Sequence, residues 1–301
     1  YFILKNYKIV KLRTKLCIGT VQLGQSYGPQ KKIKVISSKE LQKFIYFLKK
    51  HKIKYLDTAS NYKFDKKINT SNISLKDFNI ITKIPSPKNY KLNYEKKIIL
   101  DIKKMLTNFK INSFYAVLLH DSKNLKKKDY LKFLSLVKLL KKMKLTKYYG
   151  ISVYSQSEFY NFYRYGKPEI VQGQLNIFDN TFLKKNFLYK LKKNKIKFHA
   201  RSIFLQGVLT TNHTKLRSYF RKWDKQILEW NTFCQNSSHS NLEIATNYVL
   251  NNKYVDKIVV GFQDKNELKE FLSIKNNLNK NDINFKSKYN LKNLSLLKPF
   301  L

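Results

Sequence analysis

The sequence predicts an α/β protein closed as a (β/α)8 TIM-type barrel. Three observations carry that expectation. Short apolar or β-branched runs recur eight times, and amphipathic stretches of helical period separate them. No Gly-rich dinucleotide fingerprint follows the first run, which counts against an open doubly wound sheet. The length of 301 residues suits one such barrel, typically about 250 residues. A single domain over 1–301 is expected, with its core at about 16–272 and an irregular tail over 273–301.

The elements follow in order. Residues 1–15 alternate weakly through Phe2, Ile3, Ile9, Val10 and Leu12, and predict a hairpin closing the bottom of the barrel. Residues 16–20 read as the first strand, followed by a loop with Gly24, Gly28 and Pro29. Ser37 with Glu40 three residues on is a capping box, and Leu41, Phe44, Ile45 and Leu48 give the helix behind it one apolar face. The second strand, Tyr55-Leu56, ends in Asp57, and the polar segment 63–76 predicts an irregular or short helix. Residues 79–84 form the third strand, with Lys83 near its end and the turn signals Pro85 and Pro87 beyond.

Asn93 is expected to cap a helix whose inward face is Ile98, Ile102, Met105 and Leu106. Val117-Leu118-Leu119 closes the fourth strand at His120, and Phe133, Leu136, Val137 and Leu140 mark the next helix. Strands at 148–152, 170–172, 198–202 and 258–261 complete the eight. Between them lie an aromatic helix at 159–165, a helix at 183–193, helices at 218–233 and 242–250, and a last helix through Leu272 capped by Asp264. Gly19, Gly24, Gly28, Gly150, Gly173 and Gly261 crowd the strand ends, as expected where loops approach a ligand.

The formal charge of +42 would ordinarily point to nucleic acid or an anionic membrane surface. Here the lysines are scattered through every segment, and the residues in excess are those with A- and T-rich codons. Base composition accounts for the charge, so no nucleic acid partner is expected. The field should still attract anionic cofactors and substrates, less so at high salt. Two cysteines, Cys17 and Cys234, make no disulfide framework and are expected as free thiols in a cytoplasmic protein. No run approaches the roughly 20 apolar residues of a membrane span, and no secretory signal pattern opens the chain. The chain begins with Tyr1 rather than Met, so one or more residues are expected to be missing there.

Asp57, Tyr62, Lys83 and His120 thus fall in order at the ends of three successive strands. Taken singly, each is more often structural: a cap, a snorkelling lysine, a hydrogen-bonding histidine, one tyrosine among 21. Together they form a set with a purpose. A buried Lys83–Asp57 pair beside Tyr62 would lower the phenol's pKa from its usual value of about 10. Tyr62 would then protonate a carbonyl oxygen that His120 orients, and the missing component is a hydride donor. His51, His199, His213 and His239 read as surface or satisfied residues, and no metal cluster or Ser/His/Asp arrangement appears.

These residues carry a resemblance. Asp-Thr-Ala-x-x-Tyr at 57–62, Thr-Lys at 82–83 and Leu-Leu-His-Asp at 118–121 resemble the tetrad motifs of the aldo-keto reductase family, in a bacterial subgroup, over about 16–271. Gly150-Ile151-Ser152, Gln172, the segment from Ala200 to Leu209, and Val260-Gly261 with Glu267 and Glu270 resemble its cofactor segments. The resemblance implies reversible NAD(P)H-dependent reduction of an aldehyde or ketone, with Asp57, Tyr62, Lys83 and His120 catalytic. It implies cofactor contacts from Thr20, Ser152, Gln172, Arg201, Ser202, Gly261, Gln263 and Glu270. Ser152 and Gln172 would hold the nicotinamide carboxamide. NADP(H) is favoured by family habit, with NAD(H) as the alternative. A monomer acting on a small, sugar-derived carbonyl compound is implied.

The sequence departs from the family pattern in places. Val153 stands for an amide-bearing Asn, Arg201 for the aromatic that often stacks on nicotinamide, and Lys63 for a glycine, with the usual acidic helix start absent after it. Gly261 and Glu267 stand where Lys and Arg usually meet a 2′-phosphate, an arrangement that Gln263 and Lys265 are placed to offset, and Phe271 replaces an Asn. Specificity is expected from loops near Tyr27, Phe64, Tyr154 and Phe178 and from the long segment after Ser202. The competing expectations are a nicotinamide-binding regulatory module with little turnover and a basic polyanion-binding protein.

Overall fold

A computed structural model describes residues 12–27, 35–90, 92–211, 216, 218–275, 278–279 and 281–286. Its centre is a closed barrel of eight parallel strands in sequential order. The strands are β1 (Leu16–Gly19), β2 (Tyr55–Asp57), β3 (Asn79–Ile84), β4 (Phe114–Leu119), β5 (Thr146–Val153), β6 (Ile170–Gln174), β7 (Lys197–Arg201) and β8 (Lys257–Gly261). Around them run α1 (Ser38–Lys50), α2 (Phe64–Thr70), α3 (Tyr94–Phe109), α4 (Lys127–Lys142), α5 (Gln156–Tyr163), α6 (Phe187–Lys193), α7 (Asp224–Gln235), α8 (Asn241–Leu250) and α9 (Lys265–Ser273). The expected barrel is the observed one.

Local chemistry accounts for most of the boundaries. In α1, Ser37 accepts from the Glu40 N–H and Glu40 returns the bond to the Ser37 N–H at 2.8 Å, so the capping box is complete. Leu41, Phe44, Ile45 and Leu48 are buried on its inner face, each such side chain worth about 1.5–3 kcal/mol of transfer free energy. Asp264 accepts from the Asn266 and Glu267 N–H groups and starts α9. Asn93 departs from expectation: it precedes α3 in the left-handed region at φ 59° and makes no side-chain cap bond. The helix expected at 183–193 is broken, because Lys185 and Asn186 at φ 54° and 53° interrupt a short 3-10 segment before α6.

Two further expectations meet the structure at the chain's ends. Residues 12–15 are helical rather than extended, and the rest of the expected N-terminal hairpin lies outside the described residues. The irregular tail is docked where it is described, with Leu278 buried and the Phe285 ring stacked 5.8 Å from Phe178.

Among the described residues the core has three parts. The largest lies between barrel and helices and includes Phe44, Phe109, Phe133, Phe162 and Phe198. Inside the barrel, Cys17, Ile81, Ala116, Leu118 and Ile170 form a smaller cluster. A separate cluster forms where the β7–β8 excursion folds on itself: Leu205, Val208, Leu209, Phe220, Trp223 and Trp230 pack with Phe178. That excursion stands over the C-terminal end of the strands and walls one side of the site. Among the described residues no helix is long and apolar enough to cross a membrane.

Glycine placement is about packing as much as about a ligand. A Cβ on Gly24 would lie 2.6 Å from the Phe64 backbone nitrogen, so this glycine lets α2 approach the loop after β1.

Candidate active site

The C-terminal ends of the strands open into a cavity of about 1010 Å³. Its wall includes Asp57, Tyr62, Lys83 and His120, and also Thr20, Ser152, Gln172, Arg201, Ser202, Gly261, Gln263 and Glu270. The strand ends thus bring all the candidate residues to one space.

Asp57 is the hub. It is 4% exposed at the tip of β2, and Thr20 clasps its main-chain carbonyl with both its N–H at 3.0 Å and its hydroxyl at 3.1 Å. The side chain receives the Lys83 ammonium on Oδ1 and the Gln172 amide on Oδ2, the latter at 2.7 Å. Lys83, 3% exposed on β3, donates also to the Thr58 carbonyl at 3.0 Å. Burial, the largest single effect, works to lower its pKa, but the Asp57 carboxylate, Tyr62 and Cys17 together raise it by more and the net shift is upward, so Lys83 stays an ammonium.

Tyr62 is set beside that cation by the backbone. After β2, the Ser60 N–H donates to the Lys83 carbonyl at 2.9 Å and the Tyr62 N–H to the Ala59 carbonyl at 3.0 Å. The Lys83 Nζ then lies 5.7 Å from the centre of the half-buried Tyr62 ring. Behind it, α2 begins with an acid after all: Asp65 stands in its first turn and accepts from Asn108 at 2.9 Å, which corrects the expectation that an acidic helix start is absent.

His120 follows β4, its N–H bonded to the Ile84 carbonyl at 2.9 Å. Burial, with the Lys83 and Arg201 charges adding to it, pushes its pKa down to about 4, so the imidazole is neutral near pH 7. His199 corrects a second expectation. It is 1% exposed inside the barrel on β7, its Nδ1 finds no partner among the described residues, and burial holds its pKa down to about 3. His239 approaches Asp282 at 3.8 Å, His51 packs on Phe47, and His213 lies outside the described residues.

Around this centre, Arg201 leaves β7 to donate from Nη2 to the Val153 carbonyl at 3.3 Å, its guanidinium 4.2 Å from the Tyr154 ring centre. Ser202 takes a left-handed φ of 53°, and Asn176 Nδ2 holds its carbonyl at 3.0 Å. On β8, Gly261 faces Gln22, whose Oε1 would stand 2.0 Å from a Cβ there. Glu267 accepts from the Gln263 N–H at 2.7 Å, and burial raises its pKa. Glu270 lines the same end.

The wall can accept a polar cofactor. The buried oxygens of Gln22, Gln172 and Gln206 have no hydrogen-bond partner among the described residues, and each residue lines the cavity. Unpaired buried acceptors are costly, and a carboxamide or ribose donor would satisfy them. Sequence reasoning missed Gln22, since a lone glutamine carries no spacing signal, and reached Gln206 only as part of the segment from Ala200 to Leu209. Of the loop residues expected to set specificity, Tyr27 and Tyr154 do line the cavity, whereas Phe64 and Phe178 are buried in packing elsewhere. Among the described residues no group of three His, Cys, Asp or Glu could hold a metal.

Comparison with known proteins bears on this geometry. The sequence profile described as the aldo/keto reductase family matches residues 15–287. No curated protein matches the chain. The fold is shared with an aldo-keto reductase from Bacillus halodurans in holo form, at 14% identity and TM-score 0.65 over 89% of this chain and 95% of that one. It is shared also with a glycerol dehydrogenase from Gluconobacter oxydans, at 15% identity and TM-score 0.66 over 94% and 90%. A thermostable aldo-keto reductase solved with the inhibitor epalrestat aligns at 16% identity and TM-score 0.63 over 89% and 92%.

Proposed function

The chain belongs to the aldo/keto reductase family, and from that premise we propose that it reversibly reduces an aldehyde or ketone to an alcohol with a nicotinamide cofactor. Tyr62 is the proton donor to the carbonyl oxygen. Lys83 keeps a positive charge beside the phenol and so stabilises the phenolate left once the proton has gone. Asp57 holds Lys83 in place and balances its charge. His120, neutral through its lowered pKa, donates a hydrogen bond to the same oxygen rather than a full charge. When bound, the reduced nicotinamide supplies the hydride.

The observation that supports this reading best is the convergence of the four catalytic candidates and the cofactor candidates on one cavity, with the Lys83–Asp57 ion pair at its floor. Gln172 is wholly buried with its amide nitrogen committed to Asp57, and its open oxygen and the Ser152 hydroxyl are the groups offered to a carboxamide. Thr20, Ser202, Gly261, Gln263 and Glu270 complete the cofactor wall, whereas Arg201, expected to contact the cofactor in place of a stacking aromatic, already has one face of its guanidinium on the Tyr154 ring. NADP(H) is the cofactor that the resemblance favours, and Glu267, beside Asp264 and Glu270, weakens that preference by opposing a ribose phosphate.

The test is a fluorescence titration with NADPH and NADH, followed by an aldehyde panel with the better cofactor. Saturable binding and aldehyde-dependent oxidation of the cofactor are expected. Binding without turnover across the panel would favour the regulatory module instead.

A further inference from the structure

Arg201 is the one cation of the mouth that no carboxylate answers among the described residues. Lys83 is paired with Asp57, and that carboxylate's second oxygen is taken by Gln172. Glu267 and Glu270 belong to the β8–α9 side, where Glu267 is bonded to the Gln263 N–H. Arg201 instead reaches from β7 across β6 to the end of β5, where the Val153 carbonyl takes one donor and the Tyr154 ring takes one face. Two contacts of that kind fix the plane of a guanidinium, and they leave most of its five N–H donors uncommitted.

The position of this charge is what gives it meaning. Arg201 lines the cavity together with His120, Tyr62 and Tyr27, and its field acts on both His120 and Tyr27. A partly buried guanidinium with no counter-charge is costly, and the cost is offset when a ligand brings the anion. The planar fork matches an oxyanion through parallel hydrogen bonds. The surplus of positive charge over the whole chain would draw an anion to the mouth as well.

We infer that Arg201 recognises an oxyanionic group, a carboxylate or a phosphate, on the carbonyl compound that this site takes. The inference rests on the reductase reading for the identity of the site, but not for its test. A ligand so held presents its carbonyl to Tyr62 and His120 while its charged end sits on the β5–β7 side. Neutral aldehydes of the same size lack the second anchor and bind more weakly.

The experiment compares wild type with Arg201→Lys and Arg201→Gln, each checked for folding by circular dichroism. Benzoate and benzamide are titrated calorimetrically with and without saturating cofactor. kcat/KM is measured for 4-carboxybenzaldehyde against its 4-carboxamide, and for glyceraldehyde 3-phosphate against glyceraldehyde, the two pairs separating carboxylate from phosphate. Wild type should prefer the anionic member of at least one pair tenfold or more, mainly through KM. Arg201→Gln should abolish that ratio and the preference for benzoate, and Arg201→Lys should keep part of both. Anionic and neutral ligands treated alike by wild type, or a preference that survives Arg201→Gln, overturns the inference. Should no aldehyde be reduced, the reductase reading fails, and Arg201-dependent benzoate binding still decides this one.

Discussion

The Lys83 ammonium lies 5.7 Å from the centre of the Tyr62 ring, and the same nitrogen is tied to the Asp57 carboxylate and the Thr58 carbonyl. Charge, phenol and counter-charge come from β3, the loop after β2 and the tip of β2, so barrel closure itself assembles them.

Removing one partner should expose how costly the pair is to break. Lys83→Met leaves a carboxylate buried with only the Gln172 amide, and roughly 3–5 kcal/mol of destabilisation is expected. Asp57→Asn in the same chain should restore a good part of it, because the stranded charge is gone. Urea denaturation of both single variants and the double variant checks this. Strict additivity would mean that the two groups do not interact.

Acid should destabilise the protein through its buried histidines. A histidine whose folded pKa lies below its unfolded value of about 6.5 contributes stability at higher pH and loses it as pH falls. For His199 the window runs from about 6.5 down to about 3, and for His120 down to about 4. Each steepens the pH dependence by up to roughly 1.4 kcal/mol per unit inside its window. Unfolding free energies at pH 7, 5.5 and 4.5 for wild type and His199→Gln should show a shallower slope in the variant. Parallel slopes would contradict the assigned burial.

Cofactor choice should respond to Glu267. Its carboxyl is held by the Gln263 N–H on the side where the family pattern sets the ribose phosphate. Glu267→Arg is expected to raise the NADPH-over-NADH affinity ratio at least about tenfold, the effect of roughly 1.4 kcal/mol of relieved repulsion and new attraction. Paired fluorescence titrations measure it, and an unchanged ratio would remove Glu267 from the phosphate's surroundings.

How much of the fold and the site is legible in the sequence depends on how local each signal is. The third strand, over 79–84, is readable because a buried parallel strand is a short apolar run, and the capping box at Ser37–Glu40 and the cap at Asp264 because a cap is written within four residues. Asn93 misled because Asn serves both as a cap and as a left-handed residue, and here it is the second. The Gln172–Asp57 bond joins residues 115 apart and exists only once the barrel closes. His199 gave no warning, since a histidine inside a strand reads the same whether its nitrogens are satisfied or not. The glycine positions predict room for a ligand, yet Gly24 makes room for α2 and Gly261 partly for Gln22.

Turnover by Tyr62→Phe protein, with cofactor affinity measured on the same sample, tests the central assignment most directly. The phenyl ring keeps the packing and removes only the proton, so cofactor binding should stay near wild type while kcat falls by roughly 10²–10⁴-fold. Wild-type kcat in the variant would contradict the account, because the proton would then come from another group.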